Sequence, residues 1–220
     1  KIIKYSIEVG FYIHTSITYP ANAFIFKYLI PRKLKDKAKI ITKILGDSPY
    51  YLKENLEMSF KRFGKKNIDI IQIINLPLKK SGVRNLENLD IKKFSAILKI
   101  LTKYKIDKKI NKVFLQLYSE DDIKLIEKIA SDFDGFAING SKEEMFINKN
   151  IYSFLNSKKV PLIIFSIFKG GKGTINQESN YYNDTFNFFI QNFNSKIILV
   201  GRTSNFNRIK NIYNSINHIK

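Results

Sequence analysis

The residues best suited to chemistry stand at the ends of short apolar runs. His14 and Tyr19 follow Phe11–Ser16, Lys43 closes Ala38–Lys43, and Asn75 closes Asp69–Asn75. Tyr118 and Ser119 follow a fourth run, Asn139 a fifth, Ser166 and Lys169 a sixth, and Gly201-Arg202-Thr203-Ser204 a seventh. A tyrosine beside a buried lysine is a competent proton donor. The ammonium stabilises the phenolate and draws the phenol pKa toward neutrality. Ser204 and Arg202 at the start of a helix make an anion site. Taken singly, each residue has a plainer reading. A strand-end lysine is normally a solvated charge, one tyrosine among the twelve is normally packing, and His14 alone reads as an ordinary core histidine.

What must position these residues is a repeating pattern of strand and helix. Phe11–Ser16, Ala38–Lys43, Asp69–Asn75, Lys112–Tyr118, Gly135–Asn139, Pro161–Phe168 and Lys196–Gly201 read as buried strands. The segment from Tyr51 to Phe63 places Leu52, Leu56, Ser59, Phe60 and Phe63 on one stripe, with Gly64 as its stop. A helix is expected to begin at Ser119-Glu120-Asp121-Asp122, with a hydroxyl cap and acids in its first turn. Lys1 to Val9, closed by Gly10, and Ile91–Tyr104, Tyr182–Phe193 and Asn205–Ile216 are further helices. Strand and helix alternate at roughly 30 residues per unit, the pattern of right-handed βαβ connections and an all-parallel sheet. The expected fold is a (β/α)8 TIM barrel over 1–220, a single domain whose first strand would precede the opening helix. An open doubly wound sheet is the alternative, but no G-x-G-x-x-G follows the first strand. In a parallel barrel the C-terminal strand ends form one face, which is where the residues named above would converge.

Composition narrows the chemistry. The chain has no cysteine, which excludes disulfides, thiol nucleophiles and cysteine metal sites, and suits the cytoplasm. Its two histidines, His14 and His218, leave no histidine metal cluster, so no metal is expected. The strongest apolar stretch, Val160 to Phe168, is too short to cross a bilayer, and nothing at the amino end resembles a signal peptide. The chain begins with Lys rather than Met, so an earlier segment is expected. A formal charge of +19 invites a nucleic-acid reading. The lysines are spread along the whole chain, however, and are enriched together with Ile and Asn. That is the bias of an AT-rich coding sequence, and no specific nucleic-acid partner is expected.

With these residues in view, the chain resembles the aldo/keto reductases. The resemblance rests on Gly10-Phe11-Tyr12-Ile13-His14-Thr15-Ser16-Ile17-Thr18-Tyr19, then Ile40-Ile41-Thr42-Lys43. After these come Leu56-Glu57-Met58-Ser59-Phe60-Lys61-Arg62-Phe63-Gly64 and Ile68-Asp69-Ile70-Ile71-Gln72-Ile73-Ile74-Asn75-Leu76-Pro77. Order and spacing match across about a third of the chain. The carboxyl half is looser. Val160 to Gly171 is similar to the family's seventh strand, and Ile197 to Ser204 with the following helix to its last strand and cofactor-phosphate helix. The resemblance implies NADP(H)-dependent reduction of a small aldehyde, ketone or sugar-type carbonyl. Tyr19 would be the proton donor, Lys43 its stabiliser, Asn75 the group orienting the carbonyl, and His14 the neighbour of Lys43. Ser166, Phe165, Gly201, Arg202, Thr203 and Ser204 would bind the cofactor.

Two of these positions depart from the family pattern. The family's lysine-neutralising Asp is His14 here, which as a neutral imidazole can accept a hydrogen bond but cannot offset charge. The family's His is Asn75, which keeps an N–H donor. The Ser-Asn pair that would hold the nicotinamide amide is not recognisable in Val113-Phe114-Leu115-Gln116-Leu117, and the usual Gln falls near Ala137. These changes keep a second function class open, a weak or inactive barrel that binds nucleotide or a protein partner. The chain ends directly after the last helix, which leaves room for a partner subunit, as in a homo-oligomer, to complete the pocket. Two other motifs have plain readings. Lys169-Gly170-Gly171-Lys172-Gly173-Thr174 lacks P-loop spacing and reads as a flexible loop at the cofactor mouth, and Asp132, Asp134, Glu143 and Glu144 read as surface charges in loops.

Overall fold

The computed structural model describes residues 1–19, 21, 24–80, 84–147, 149–169, 180–202 and 205–218. Its strands are β1 Tyr12–Ser16, β2 Lys39–Ile44, β3 Ile68–Ile73, β4 Ile110–Leu117, β5 Gly135–Asn139, β6 Leu162–Phe165 and β7 Ile197–Val200. They form one sheet in the order β1-β2-β3-β4-β5-β6-β7. The helices are α1 Ile2–Glu8, α2 Arg32–Lys37, α3 Pro49–Phe63, α4 Ile91–Ile106, α5 Asp122–Ile129, α6 Lys142–Ile147, α7 Lys149–Lys158, α8 Asn180–Asn192 and α9 Phe206–His218. Sequential strands joined through helices make this the (β/α)8 barrel fold, with seven strands among the described residues where the fold class has eight. The chain divides into two compact units, one of Ile3–Gln116 with Lys124–Asp134, the other of Lys1–Ile2, Leu117–Ile123 and Gly135–Lys220.

In the first unit β1, β2, β3 and β4 pair in parallel, with Ser16 beside Lys43, Lys43 beside Gln72, and Gln72 beside Phe114. β3 is buried at every position but Asp69. The Asp69 carboxylate accepts the Ile40 N–H at 2.8 Å, which ties the start of β2 to β3. Helix α3 starts two residues before the expected boundary because Pro49 supplies a first-turn residue that needs no N–H partner. It stops at Gly64, which takes the left-handed conformation at φ 62° and gives its N–H to the Phe60 carbonyl. Leu52, Leu56, Ser59 and Phe63 are the buried stripe. Phe60 stacks on Tyr104 of α4 at 6.1 Å with Lys109 over both rings, and the Tyr104 hydroxyl donates to Glu57. Helix α4 is capped by Asp90, whose side chain accepts the Lys93 N–H.

The second unit carries β5, β6 and β7 in parallel, with Asn139 beside Phe165 and Phe165 beside Val200. Strand β6 is shorter than expected, because Ser166 enters the left-handed region at φ 66° and turns the chain. Strand β7 is half-buried along its length rather than buried, and among the described residues it pairs on one side alone, with β6. Other boundaries differ as well. Helix α5 begins at Asp122, because the Ser119 carbonyl accepts the Asp122 N–H while the buried Asp122 carboxylate accepts the Tyr118 N–H at 2.7 Å. Acid and turn exchange the roles expected of them. The π turn at Ile25–Leu29 and helices α2, α6 and α7 have no counterpart among the expected elements. Glu143 and Glu144 therefore sit in the first turn of α6 and not in a loop.

Candidate active site

The chemistry-bearing residues of the first unit lie at the C-terminal ends of β1, β2 and β3. His14 is two residues before the end of β1 and Lys43 one before the end of β2. Both are half-buried. Burial pushes the His14 imidazole down to about 4, the field of Lys43 pushes the same way, and a hydrogen bond to Gln72 opposes both. Burial also lowers the Lys43 ammonium from its ordinary range. The imidazole is therefore neutral at physiological pH, and it leaves the lysine charge uncompensated from this side.

His14 Nε2 meets Gln72 Oε1 at 2.8 Å, and Gln72 Nε2 donates to Gln116 Oε1 at 2.7 Å. Gln72 is fully buried one residue before the end of β3 and Gln116 nearly so in β4. The Gln116 carbonyl accepts from Arg84 at 3.2 Å. A buried amide is costly unless both its ends are bonded, and in Gln72 both are.

Tyr19 lies three residues beyond β1 on a braced turn, and the residue is 47% exposed. Its N–H donates to the Ser16 carbonyl at 3.1 Å, the Thr18 N–H donates to Ser16 Oγ, and the Arg62 guanidinium of α3 donates to the Ile17 carbonyl. The S-x-x-R segment of α3 thus holds the turn that carries the tyrosine. Asn75 is half-buried just past β3. Gly46 packs against it so closely that a Cβ there would stand 2.6 Å from the Asn75 carbonyl oxygen. Alternation puts Ile68, Ile70 and Gln72 on one face of β3. Ile74, whose N–H reaches the Ile44 carbonyl, follows in that parity, and Asn75 follows in the other. The structure thus brings His14 and Lys43 into each other's field and places Tyr19 and Asn75 on loops that leave the same strand ends.

The expected cofactor residues belong to the second unit. Phe165 ends β6 half-buried, and Ser166 follows with its carbonyl accepting the Lys169 N–H at 2.7 Å. Lys169 pairs with Glu143 at 2.9 Å, and this bond holds the Glu143 carboxyl down at about 2. Gly201 is exposed yet packed on Phe168, whose ring a Cβ would meet at 2.5 Å. Phe168 is buried among Tyr181, Tyr182 and Phe186. Arg202 is exposed. Thr203 and Ser204, and residues 170–174 of the Gly/Lys loop, lie outside the described residues.

Asn205 is the cap of α9, its side chain accepting the N–H groups of Asn207 at 2.9 Å and Arg208 at 3.3 Å. Two first-turn amides that an anion would use are therefore occupied. Cations remain around that turn. Lys1 and Lys210 stand over the Phe206 ring at 4.7 and 4.9 Å, and the charge of Arg208 bears on Tyr182. With the exposed Arg202, this donor set fits a phosphate-bearing cofactor held by side-chain charge more than by helix amides.

Sequence reading passed over Gln72 and Gln116. The available signal was a polar amide inside an isoleucine run, which must find a buried partner. Among the described residues no group of three His, Asp or Glu side chains is placed to hold a metal, and no helix is long and apolar enough to cross a membrane. Of the acids expected on the surface, Glu143 pairs with Lys169, Glu144 accepts the Ser141 N–H, and Asp134 also has partners. Asp134 pairs with Lys105 at 2.8 Å and accepts the Val113 N–H.

No family model matches the chain, and no curated relative matches it. Solved structures do. It is similar to an aldo-keto reductase from Klebsiella pneumoniae in complex with NADPH, at a TM-score of 0.69 and 10% identity over 98% of this chain and 78% of that one. Aldose reductase from Giardia lamblia matches at 0.69 and 10% identity, over 98% of this chain and 81% of that one. Aldose reductase from Schistosoma japonicum matches at 0.68 and 14% identity, over 97% and 77%. At such identities the likeness is one of fold. The chain has the aldo-keto reductase fold, divergent in sequence.

Proposed function

We propose that this chain is an NADP(H)-dependent oxidoreductase that reduces a small aldehyde, ketone or sugar-type carbonyl. The observation that carries this reading is the placement of Lys43, half-buried and beside His14, at the same strand ends as the braced turn bearing Tyr19. When bound, NADPH would supply the hydride. The Tyr19 hydroxyl would give its proton to the carbonyl oxygen, and the Lys43 ammonium would stabilise the phenolate left behind. The Asn75 side chain would hold the carbonyl through its N–H. In the second unit Ser166, Phe165, Gly201 and Arg202, with Thr203 and Ser204, would hold the cofactor. The whole of 1–220 would act as one cytoplasmic barrel domain, with a homo-oligomer as one way to complete its pocket.

A second reading has its own observation. Neutral His14 does not offset the Lys43 charge, so the pair is weaker than a lysine–carboxylate pair, and a slow or inactive barrel that binds nucleotide is the alternative. Fluorescence titration with NADPH and NADH separates the two when followed by a carbonyl screen. The first reading expects NADPH binding and turnover that falls at least about 100-fold in Tyr19→Phe. NADPH binding with no turnover on any carbonyl would favour the second. Binding of neither cofactor by the folded protein would overturn both.

A further inference from the structure

The outer face of α4 carries a pattern that the reductase reading does not use. Burial of Phe94, Ile97, Leu101 and Tyr104 fixes which side of this helix faces inward. On the other side Ile91, Ser95, Leu98 and Thr102 recur at intervals of four, three and four residues, and Ile106 follows four residues on. Ile91 is 59% and Ile106 74% exposed, and a shallow groove of about 380 Å³ runs along the stripe from Ser95 to Ile106. Intervals of four and three in alternation are those of a coiled-coil seam. The short side chains of Ser95 and Thr102 between Ile91, Leu98 and Ile106 leave holes that a partner's side chains would enter.

Charge selects what fits there. Helix α4 has five lysines and no acid. Lys93 pairs with Asp90 and Lys105 with Asp134. Lys92, Lys99 and Lys103 are exposed, have no ion-pair partner among the described residues, and by helical spacing lie along one edge of the stripe. Lys92 and Lys99 each directly follow a seam residue, one heptad apart, in the flanking position whose charge chooses a partner helix. We propose that the outer face of α4 is a docking seam for an acidic amphipathic helix of a partner protein. Apolar residues of that helix enter the groove, and its Asp or Glu side chains pair with Lys92, Lys99 and Lys103. A second copy of this chain does not fit, because a two-fold contact sets the same lysines against one another.

The test is titration of the 220-residue chain with a synthetic helical peptide of about 18 residues, bearing leucines at seam spacing and glutamates beside them. Micromolar binding that weakens as salt rises is expected, with NMR amide shifts centred on Leu98 and Thr102. Lys92→Glu with Lys99→Glu, both exposed and folded by circular dichroism, should weaken it at least about tenfold. The same pair should transfer the preference to a peptide with lysine in place of glutamate. Leu98→Glu should abolish binding of either peptide. No binding of the acidic peptide, or binding that the charge reversal leaves intact, would overturn the proposal. So would self-association in sedimentation that Leu98→Glu abolishes, which would give the face to a second copy. Phosphatidylserine vesicles that bind through the same lysines in preference to the peptide would overturn it in favour of a membrane surface. NADPH binding and carbonyl turnover should be unchanged in every variant, so failure here leaves the reductase reading standing.

Discussion

His14 on β1 and Gln72 on β3 are separated by an intervening strand, yet their side chains meet at 2.8 Å. Residues of alternate strands share a layer in this fold class, so a hydrogen bond that skips β2 is what the layering allows. The contact makes the state of His14 a property of the packed interior, and that has a consequence in acid.

Burial holds the His14 pKa at about 4, below the ordinary 6.5 of the unfolded chain. The unfolded state therefore takes up this proton first as pH falls. The histidine's contribution to stability is complete above about pH 6.5 and is lost progressively toward pH 4, on the order of 3 kcal/mol in all. Denaturant unfolding across that window, compared between the parent and His14→Gln, should show a shallower slope in the variant. Equal slopes would mean that His14 is not buried as a neutral group.

Arg62 links α3 to the Ile17 carbonyl in the turn that carries Tyr19. Arg62→Ala should cost about 1–3 kcal/mol, since it removes a charge-assisted bond. If Tyr19 is the proton donor, kcat should drop about tenfold or more while the KM for NADPH holds, because the phenol is displaced and the cofactor residues are not. A loss of stability with kcat intact would assign the bond to folding alone.

At Gly46 a methyl group would press on the Asn75 carbonyl and the Ile73 side chain. Gly46→Ala is expected to destabilise by about 1–3 kcal/mol as an overpacking change. Its effect on turnover depends on Asn75. If that side chain orients the carbonyl, Gly46→Ala and Asn75→Ala should both raise the KM for the carbonyl substrate and lower kcat. Unaltered kinetics in Asn75→Ala would remove it from the site, as its parity opposite to Gln72 and Ile74 would then explain.

What the sequence by itself determined here is what local patterning can carry. Runs such as Ile70-Ile71-Gln72-Ile73-Ile74 mark parallel strands because both faces are covered, and Gly64 marks the end of α3 because only a left-handed residue closes the helix there. The order of those elements gave alternating β/α units, compatible with a (β/α)8 barrel or an open doubly wound sheet. The family resemblance favoured the barrel, and the same reading put His14, Lys43 and Tyr19 at or just after strand ends. Tertiary structure decided the rest. The turn at Ser166 that shortens β6 and the Asn205 side chain that occupies the first amides of α9 are matters of backbone conformation and choice of partner. The neutrality of His14 and the pairing of Gln72 with Gln116 depend on groups far apart in the chain and close in space. Burial and long-range hydrogen bonds set protonation, and neither is written in the residues adjacent to the group they act on.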